Sequence, residues 1–414
     1  CDYLYPVLRL VARIVCLPLM AALGAADTGT AVGEAGEAPP ECRARAEPGS
    51  AFGRPVGLSD PLSTAFMPSA AANGRAVLIA WQETVRGGSR VAYAVAVDGC
   101  VAEVRYVDDE LPSPRRPSVA ATSSGWVLAY EAQKPPRPVV RSVHLDLEGR
   151  VVSAPETISA PGAVASRVRV AARGDDVVYA WTDVVGHHVA RRGPVETLPP
   201  TAVGERLKSA GLVNFPRLAI DDRGTILLAY RDGGPERTDF EIRLVTKDVG
   251  GPFSRPANLS RSRGLMSDDV ALAMEADGRL RLVWVEQDAQ RPDTFEVVHA
   301  TYTGVGSVAE PTRFATLGQA SFKPSVVAGL ATVWQVGTVR SGELWFADGP
   351  GQPVRILRDT VGGMTALAED ADGDLHLAFV DLSDPPRLRY AWRRAPAGGD
   401  TAVAPSGSGA ASRP

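Results

Sequence analysis

Long apolar runs are almost absent from this chain. The one run of note, Ile14 to Leu23, is too short to cross a bilayer comfortably, and no second one follows, which excludes a polytopic membrane protein. Neither sign of charge is in excess: 44 Lys and Arg face 48 Asp and Glu, a net of −4. Such a chain has no global field to attract nucleic acid, so no nucleic-acid partner is expected. Cysteine and histidine are scarce, at 4 and 5 residues, and none of their spacings resembles a zinc site. Phosphate loop, dinucleotide fingerprint and nucleophile elbow are all missing. No metal and no cofactor are therefore expected. No stretch carries a convincing helical period. What the chain has in quantity is turn residues, 41 Gly and 33 Pro among 414, with an ordinary 45% of hydrophobic residues. That composition fits many short strands joined by turns and excludes a mainly disordered protein.

The ends differ from the middle. Arg9 and Arg13, the apolar run and the small residues Gly24 to Ala26 follow the order of a secretory signal, so residues 1–26 are expected to be a signal peptide, with an uncleaved anchor as the alternative. Residues 27–50, rich in Ala, Gly, Glu and Pro, read as a flexible linker, and 395–414 as a disordered tail. The expected location is periplasmic or extracellular, with no membrane span after cleavage. Cleavage near Ala26 leaves Cys42 and Cys100, either joined as a disulfide or as two unpaired thiols.

Between the ends the sequence repeats. A short apolar segment, a turn and a second apolar segment ending in an aromatic recur seven times. The terminal aromatics are Trp81, Tyr130, Trp181, Tyr230, Trp284, Trp334 and Phe379, 45 to 54 residues apart. An alternating third segment such as Arg90 to Val97 and a short fourth one such as Pro256 to Ser260 complete each copy. Four antiparallel strands in about fifty residues, repeated, make a β-propeller blade. The last copy lacks its fourth segment, and Phe52–Ser59 matches the fourth segment Phe253–Ser260. The expectation is an all-β, seven-bladed β-propeller of four-stranded antiparallel blades over 51–394, closed by an N-terminal strand that completes the last blade. Closure leaves no open sheet edge, and a monomer is expected. The terminal aromatics are expected to pack between blades.

Acids follow most of the aromatics: Glu83, Glu131, Asp183, Asp232, Glu286 and Asp381. Placed in the loops after the second strands, they form a ring around the central channel that can bind a cation or a sugar or supply acid–base groups. The alternative is a repeat feature in which each acid accepts backbone amides or pairs with a third-strand arginine. Arg115, Arg116, Arg167, Arg217 and Lys323 stand where first strands begin, on the same face. There they either hold a carboxylate or phosphate or are solvated loop residues. His187 and His188 are adjacent, so on a strand they point to opposite faces and cannot chelate one metal together.

Segments such as Phe215 to Asp232 resemble the repeats of bacterial sialidase-like propellers. The likeness spans about 51–394 and is one of repeat style, and it carries no catalytic residue onto a numbered position. Here the Asp/Gly turns (Asp222 with Gly224, Asp277-Gly278, Asp372-Gly373) follow the first strand, whereas the Asp-box of sialidases lies after the third. Two functions follow. The first is a module that binds a glycan, protein or cell-surface ligand through the loop face. The second is a glycoside hydrolase or lyase, sialidase-like, using carboxylates of the ring.

Overall fold

The computed structural model describes residues 51–396, apart from 135–136, 161–163, 184–186, 192–194, 198–215, 234–239, 262–264, 289–290, 305–310, 315–320, 330, 338–341, 350–351, 358–361 and 383. These residues form seven antiparallel sheets and, among them, no helix. Each sheet is a blade. The first strands of blades 1 to 7 are Thr64–Asn73, Arg115–Thr122, Ser166–Arg173, Arg217–Ile220, Leu265–Met274, Ser321–Val326 and Gly362–Glu369. Each touches the first strands of both neighbouring blades, all the way round, so the first strands are innermost and line the central channel. The second strands run Ala76–Val85, Gly125–Lys134, Asp176–Thr182, Ile226–Gly233, Leu280–Asp288, Thr332–Gly337 and Leu375–Asp381. The third and fourth strands lie further out, and the fourth are short, down to two residues in Glu156–Thr157 and Ala257–Asn258.

The ring closes as the sequence implies. Val56–Gly57 pairs antiparallel with Arg387–Arg393, the third strand of blade 7, placing Val56 opposite Tyr390. Leu58 N donates to Leu388 O at 2.9 Å and Gly53 N to Trp392 O at 2.8 Å. Phe52 and Leu58 are buried beside them.

The core is divided by the period of the sequence. Alternation turns one face of each blade toward each neighbour, so the apolar residues form seven clusters, one per interface between blades. The terminal aromatic of each blade packs into the cluster shared with the preceding blade: Trp81 against blade 7, Tyr130 against blade 1, Phe379 against blade 6. All seven aromatics are at most 4% exposed. At roughly 25 cal/mol per Å² over about 150–250 Å², each contributes about 4–6 kcal/mol of gross burial before entropy is charged.

Turns between first and second strands use acids as local acceptors. Asp221 Oδ1 accepts from Arg223 N and Thr225 N at 3.0 and 2.7 Å, and Asp370 Oδ1 from Asp372 N and Asp374 N, both at 3.0 Å. The Asp/Gly turns thus hold their own backbone. Gly125 is required for a different reason, since a Cβ there would lie 2.0 Å from Leu145 O on the adjacent strand.

One irregularity repeats. The first strands of blades 1, 2, 3, 5, 6 and 7 each bulge by one residue near their start. Met67, Arg116, Arg167, Asp269, Lys323 and Met364 stand there with φ between 49° and 58°. Left-handed backbone at a non-glycine residue costs on the order of 1 kcal/mol or more. Cross-blade hydrogen bonds support some of these residues: Arg116 N donates to Gln82 Oε1 at 3.3 Å, Arg167 N to Glu131 Oε1, and Lys323 N to Asp269 Oδ2 at 3.3 Å.

Candidate functional site at the channel mouth

The first strands begin where the second strands end, so both sets of charged candidates share one face of the disc. The acids do not stand in loops as expected. Glu83, Glu131, Asp232, Glu286 and Asp381 lie on the second strands themselves, and Asp183 directly follows one. The ladders run further than apolar alternation suggests because cross-strand pairs such as Glu83 opposite Arg90 and Asp381 opposite Arg387 extend them.

Each acid is engaged close to home. Residues two apart on a strand share a face, so Trp81 Nε1 donates to Glu83 Oε1 at 2.9 Å and Trp284 Nε1 to Glu286 Oε1 at 3.0 Å. Arg90 Nη2 is 2.7 Å from Glu83 and Arg313 Nη2 is 2.8 Å from Glu286. Asp232 faces Arg243 at 3.4 Å, Asp381 faces Arg389 at 3.2 Å, and Asp183 faces His188 at 2.6 Å. Glu131 is fully buried and takes Arg115 at 3.0 Å and Arg116 at 3.3 Å. Blade 6 has Gln335 and Val336 here instead of an acid.

The cations divide into two kinds. Arg115 and Arg116 belong to the Glu131 cluster. Arg169, Arg217 and Lys323 have no carboxylate within ion-pair distance among the described residues. Arg169 Nη1 donates to Val168 O at 2.7 Å, and Nη1 of Arg217 is buried without a hydrogen-bond partner. All three are half-buried on first strands, with protein close around them. Burial pushes the Arg169 guanidinium well below its ordinary pKa, and Arg217 and Arg116 push it the same way, against Glu131. Burial also lowers Arg217, opposed by Asp269 and Asp268, and lowers Lys323, opposed by Asp269.

Register shows what is unusual about the two arginines. The first-strand residue opposite the one preceding the terminal aromatic is Ser69, Ser118, Arg169, Arg217, Ala271, Ser325 and Ala366 in blades 1 to 7. The serines tie blade to blade. Ser69 Oγ accepts Val119 N and Ser118 Oγ accepts Val170 N, both at 3.1 Å, and Ser325 Oγ donates to Thr365 O at 2.9 Å. Blades 3 and 4 replace this small residue with arginine. The repeat is thus broken at two adjacent positions on the channel wall.

Blade 5 carries the counter-charge. Asp268 and Asp269 stand at its bulge. Asp268 pairs with Arg231 of blade 4 and accepts Asp269 N at 2.8 Å. Burial and the neighbouring Asp269 hold the Asp268 carboxyl up at about 6, against Arg231.

Of the residues singled out from the sequence, Arg217 and Lys323 are at this site, Arg116 adjoins it through Arg169, and the acids of the second strands form a separate layer of ion pairs. Arg169, Asp268 and Asp269 escaped the sequence reading, and aligning the blades by register rather than by their aromatics finds them. His187 is buried, and its pKa is pushed down to about 4 by burial first and by His188 and Arg167 next. Cys100 is disulfide-bonded, while Cys42, its expected partner, lies outside the described residues. Among the described residues no three His, Cys, Asp or Glu side chains are grouped to hold a metal, and no helix is long and apolar enough to cross a membrane.

No known protein family matches the chain, and no curated protein does. Solved structures do resemble it. A protein of unknown function from Dyadobacter fermentans has a TM-score of 0.52 and 11% identity, over 84% of this chain and 100% of that one. An ulvan lyase, a polysaccharide lyase, gives 0.49 and 11% over 81% and 95%. The Trypanosoma rangeli sialidase in complex with the inhibitor DANA gives 0.44 and 10% over 82% and 58%. At these identities the likeness is one of propeller fold.

Proposed function

We propose that this propeller is a binding module that receives an anionic ligand, an acidic glycan, at the channel mouth on the side of blades 3 and 4. The observation that carries this reading is the break in the repeat. Two adjacent blades place arginine where the others place serine or alanine, and neither arginine has a carboxylate within ion-pair distance among the described residues. A structural charge recurs with the blades, as the second-strand acids do. A charge that departs from the repeat and has no carboxylate partner among the described residues is available to an outside one. The carboxylate or sulfate of the ligand meets Arg169, Arg217 and Lys323, and its hydroxyls meet the surrounding polar rim.

Export belongs to the same proposal. Residues 1–26 act as the signal, 27–50 as linker and 395–414 as tail, and Cys42 pairs with Cys100. The disulfide at Cys100 supports an oxidising compartment.

Calorimetric titration with a uronate or sulfated oligosaccharide beside its neutral counterpart tests the reading. The acidic sugar is expected to bind and the neutral one not, with Arg217→Met weakening binding about tenfold or more at an unchanged melting temperature. Equal binding of the two sugars, or an Arg217→Met protein that binds like the wild type, overturns it. One feature favours the alternative of glycan cleavage, by hydrolysis or elimination: Asp268 stands at the bulge of blade 5, paired with Arg231, and burial there raises its carboxyl toward the range of a proton donor at neutral pH. Product formation in the same titration, abolished by Asp268→Asn, decides for it.

A further inference from the structure

We infer that Asp268 and Asp269 act as a built-in counter-anion for the channel mouth, so that a proton taken up by this pair opens the cationic wall to an external anion. The inference rests on the anion-binding reading above and adds its regulation. Two adjacent carboxyl groups stand on blade 5, between the Arg217 of blade 4 and the Lys323 of blade 6. Their charge acts on two cations that have no ion pair among the described residues, Asp269 on both and Asp268 on Arg217, against the burial that weakens both. Asp269 is held in place by its left-handed backbone, with φ of 50°, and by Lys323 N at its Oδ2. Asp268 is anchored by Arg231.

The elements packed around the pair carry charged groups of both signs. Blade 4 offers Arg217, Arg231 and Asp232, the last held by Arg243, and on its third strand also Glu241, which accepts from Ser260, and Lys247. Blade 6 offers Lys323. Blade 5 itself offers Glu286, opposite Ser267 and held by Arg313, with Asp288 opposite Leu265 and Arg281, paired with Glu275, further along the strand. Asp232, Asp268 and Glu286 each have a cation of their own, whereas Asp269 has none within ion-pair distance among the described residues, so the pair holds one carboxylate more than it has cations and is where a proton changes the balance. Repulsion between two adjacent carboxylates favours uptake of one proton by the pair, and burial of Asp268 brings that event near neutrality. The step is simple: one carboxylate takes a proton from water and becomes a neutral carboxyl, and the local charge rises by one. An anion arriving at Arg217 and Lys323 then meets less repulsion. By linkage a bound anion must raise the affinity of the pair for that proton.

Inorganic sulfate is the probe, because it remains a dianion between pH 5 and pH 8 and any change in affinity belongs to the protein. At constant ionic strength, the wild type is expected to bind sulfate on the order of tenfold tighter at pH 5 than at pH 8. Asp269→Asn is expected to bind at pH 8 as tightly as the wild type does at pH 5, with a flat profile. Sulfate bound with equal affinity at both pH values, or a pH dependence that survives both Asp269→Asn and Asp268→Asn, overturns this inference and leaves the anion site standing. Sulfate bound nowhere, at either pH, overturns the anion site and this inference together. The wild type alone supplies a second check should the variants fold poorly. In a carbon NMR titration the aspartate carboxyl that titrates near 6 should move to higher pH when sulfate is added, and a midpoint unmoved by saturating sulfate contradicts the coupling.

Discussion

Glu131 gathers three arginines of two blades around one carboxylate. Arg115 and Arg116 bracket its carboxylate, and Arg167 of the next blade donates its backbone N–H to it, so one group serves two guanidinium groups and a strained bulge. Glu131→Gln keeps the shape and removes the charge. With the carboxylate fully buried, the variant should lose roughly 2–4 kcal/mol of stability, read as a lower denaturant midpoint. A midpoint within experimental error of the wild type would mean that the cluster is solvated and not part of the framework. The acids were legible in the sequence as a feature of the repeat, because each stands one or two residues after an aromatic. Their partners were only partly legible. A third-strand arginine can be guessed from alternation, but Arg313 reaches Glu286 from a fourth strand whose register no sequence period fixes.

At the scale of the strand, the first, second and third strands could be read from the sequence because each buries a face and so carries a pattern. Fourth strands of two residues carry none. They were located by composition and by the match between Phe52–Ser59 and Phe253–Ser260. The bulges left no signal either: Met, Arg, Asp and Lys occupy the left-handed position, so no glycine marks it. Those bulges shift register within the first strands of six blades, while blade 4 shows none in its paired residues. Arg169 and Arg217 align with the serines of other blades only once the pairing is known. The closing segment yields a direct prediction. Deleting 51–59 removes Phe52 and Leu58 from the core and exposes the edge of the blade 7 strand Arg387–Arg393. The melting temperature should fall by about 10 °C or more, whereas deleting 397–414 should leave it within about 2 °C. Equal effects of the two truncations would contradict closure by this segment.

The whole molecule divides its stability among seven similar interfaces, each with an aromatic from one blade set against the blade before it. Near-symmetry of this kind makes departures informative, since a framework residue is needed seven times and a ligand contact once. Three departures stand on the first strands at the mouth: arginine in blades 3 and 4, a lysine in blade 6 with no carboxylate within ion-pair distance among the described residues, and two adjacent aspartates in blade 5. The ring count followed from the sequence period, and the closing segment from its match to a fourth strand. The polarity of the mouth did not, because it depends on which residues of neighbouring blades the register sets side by side. The most direct measurement of that polarity is a crystal grown with selenate, whose anomalous signal reports a bound tetrahedral anion without ambiguity. The account predicts a selenate peak beside Arg217, within reach of Arg169 or Lys323. A crystal saturated with selenate that shows no peak there, with the three side chains ordered, would contradict it.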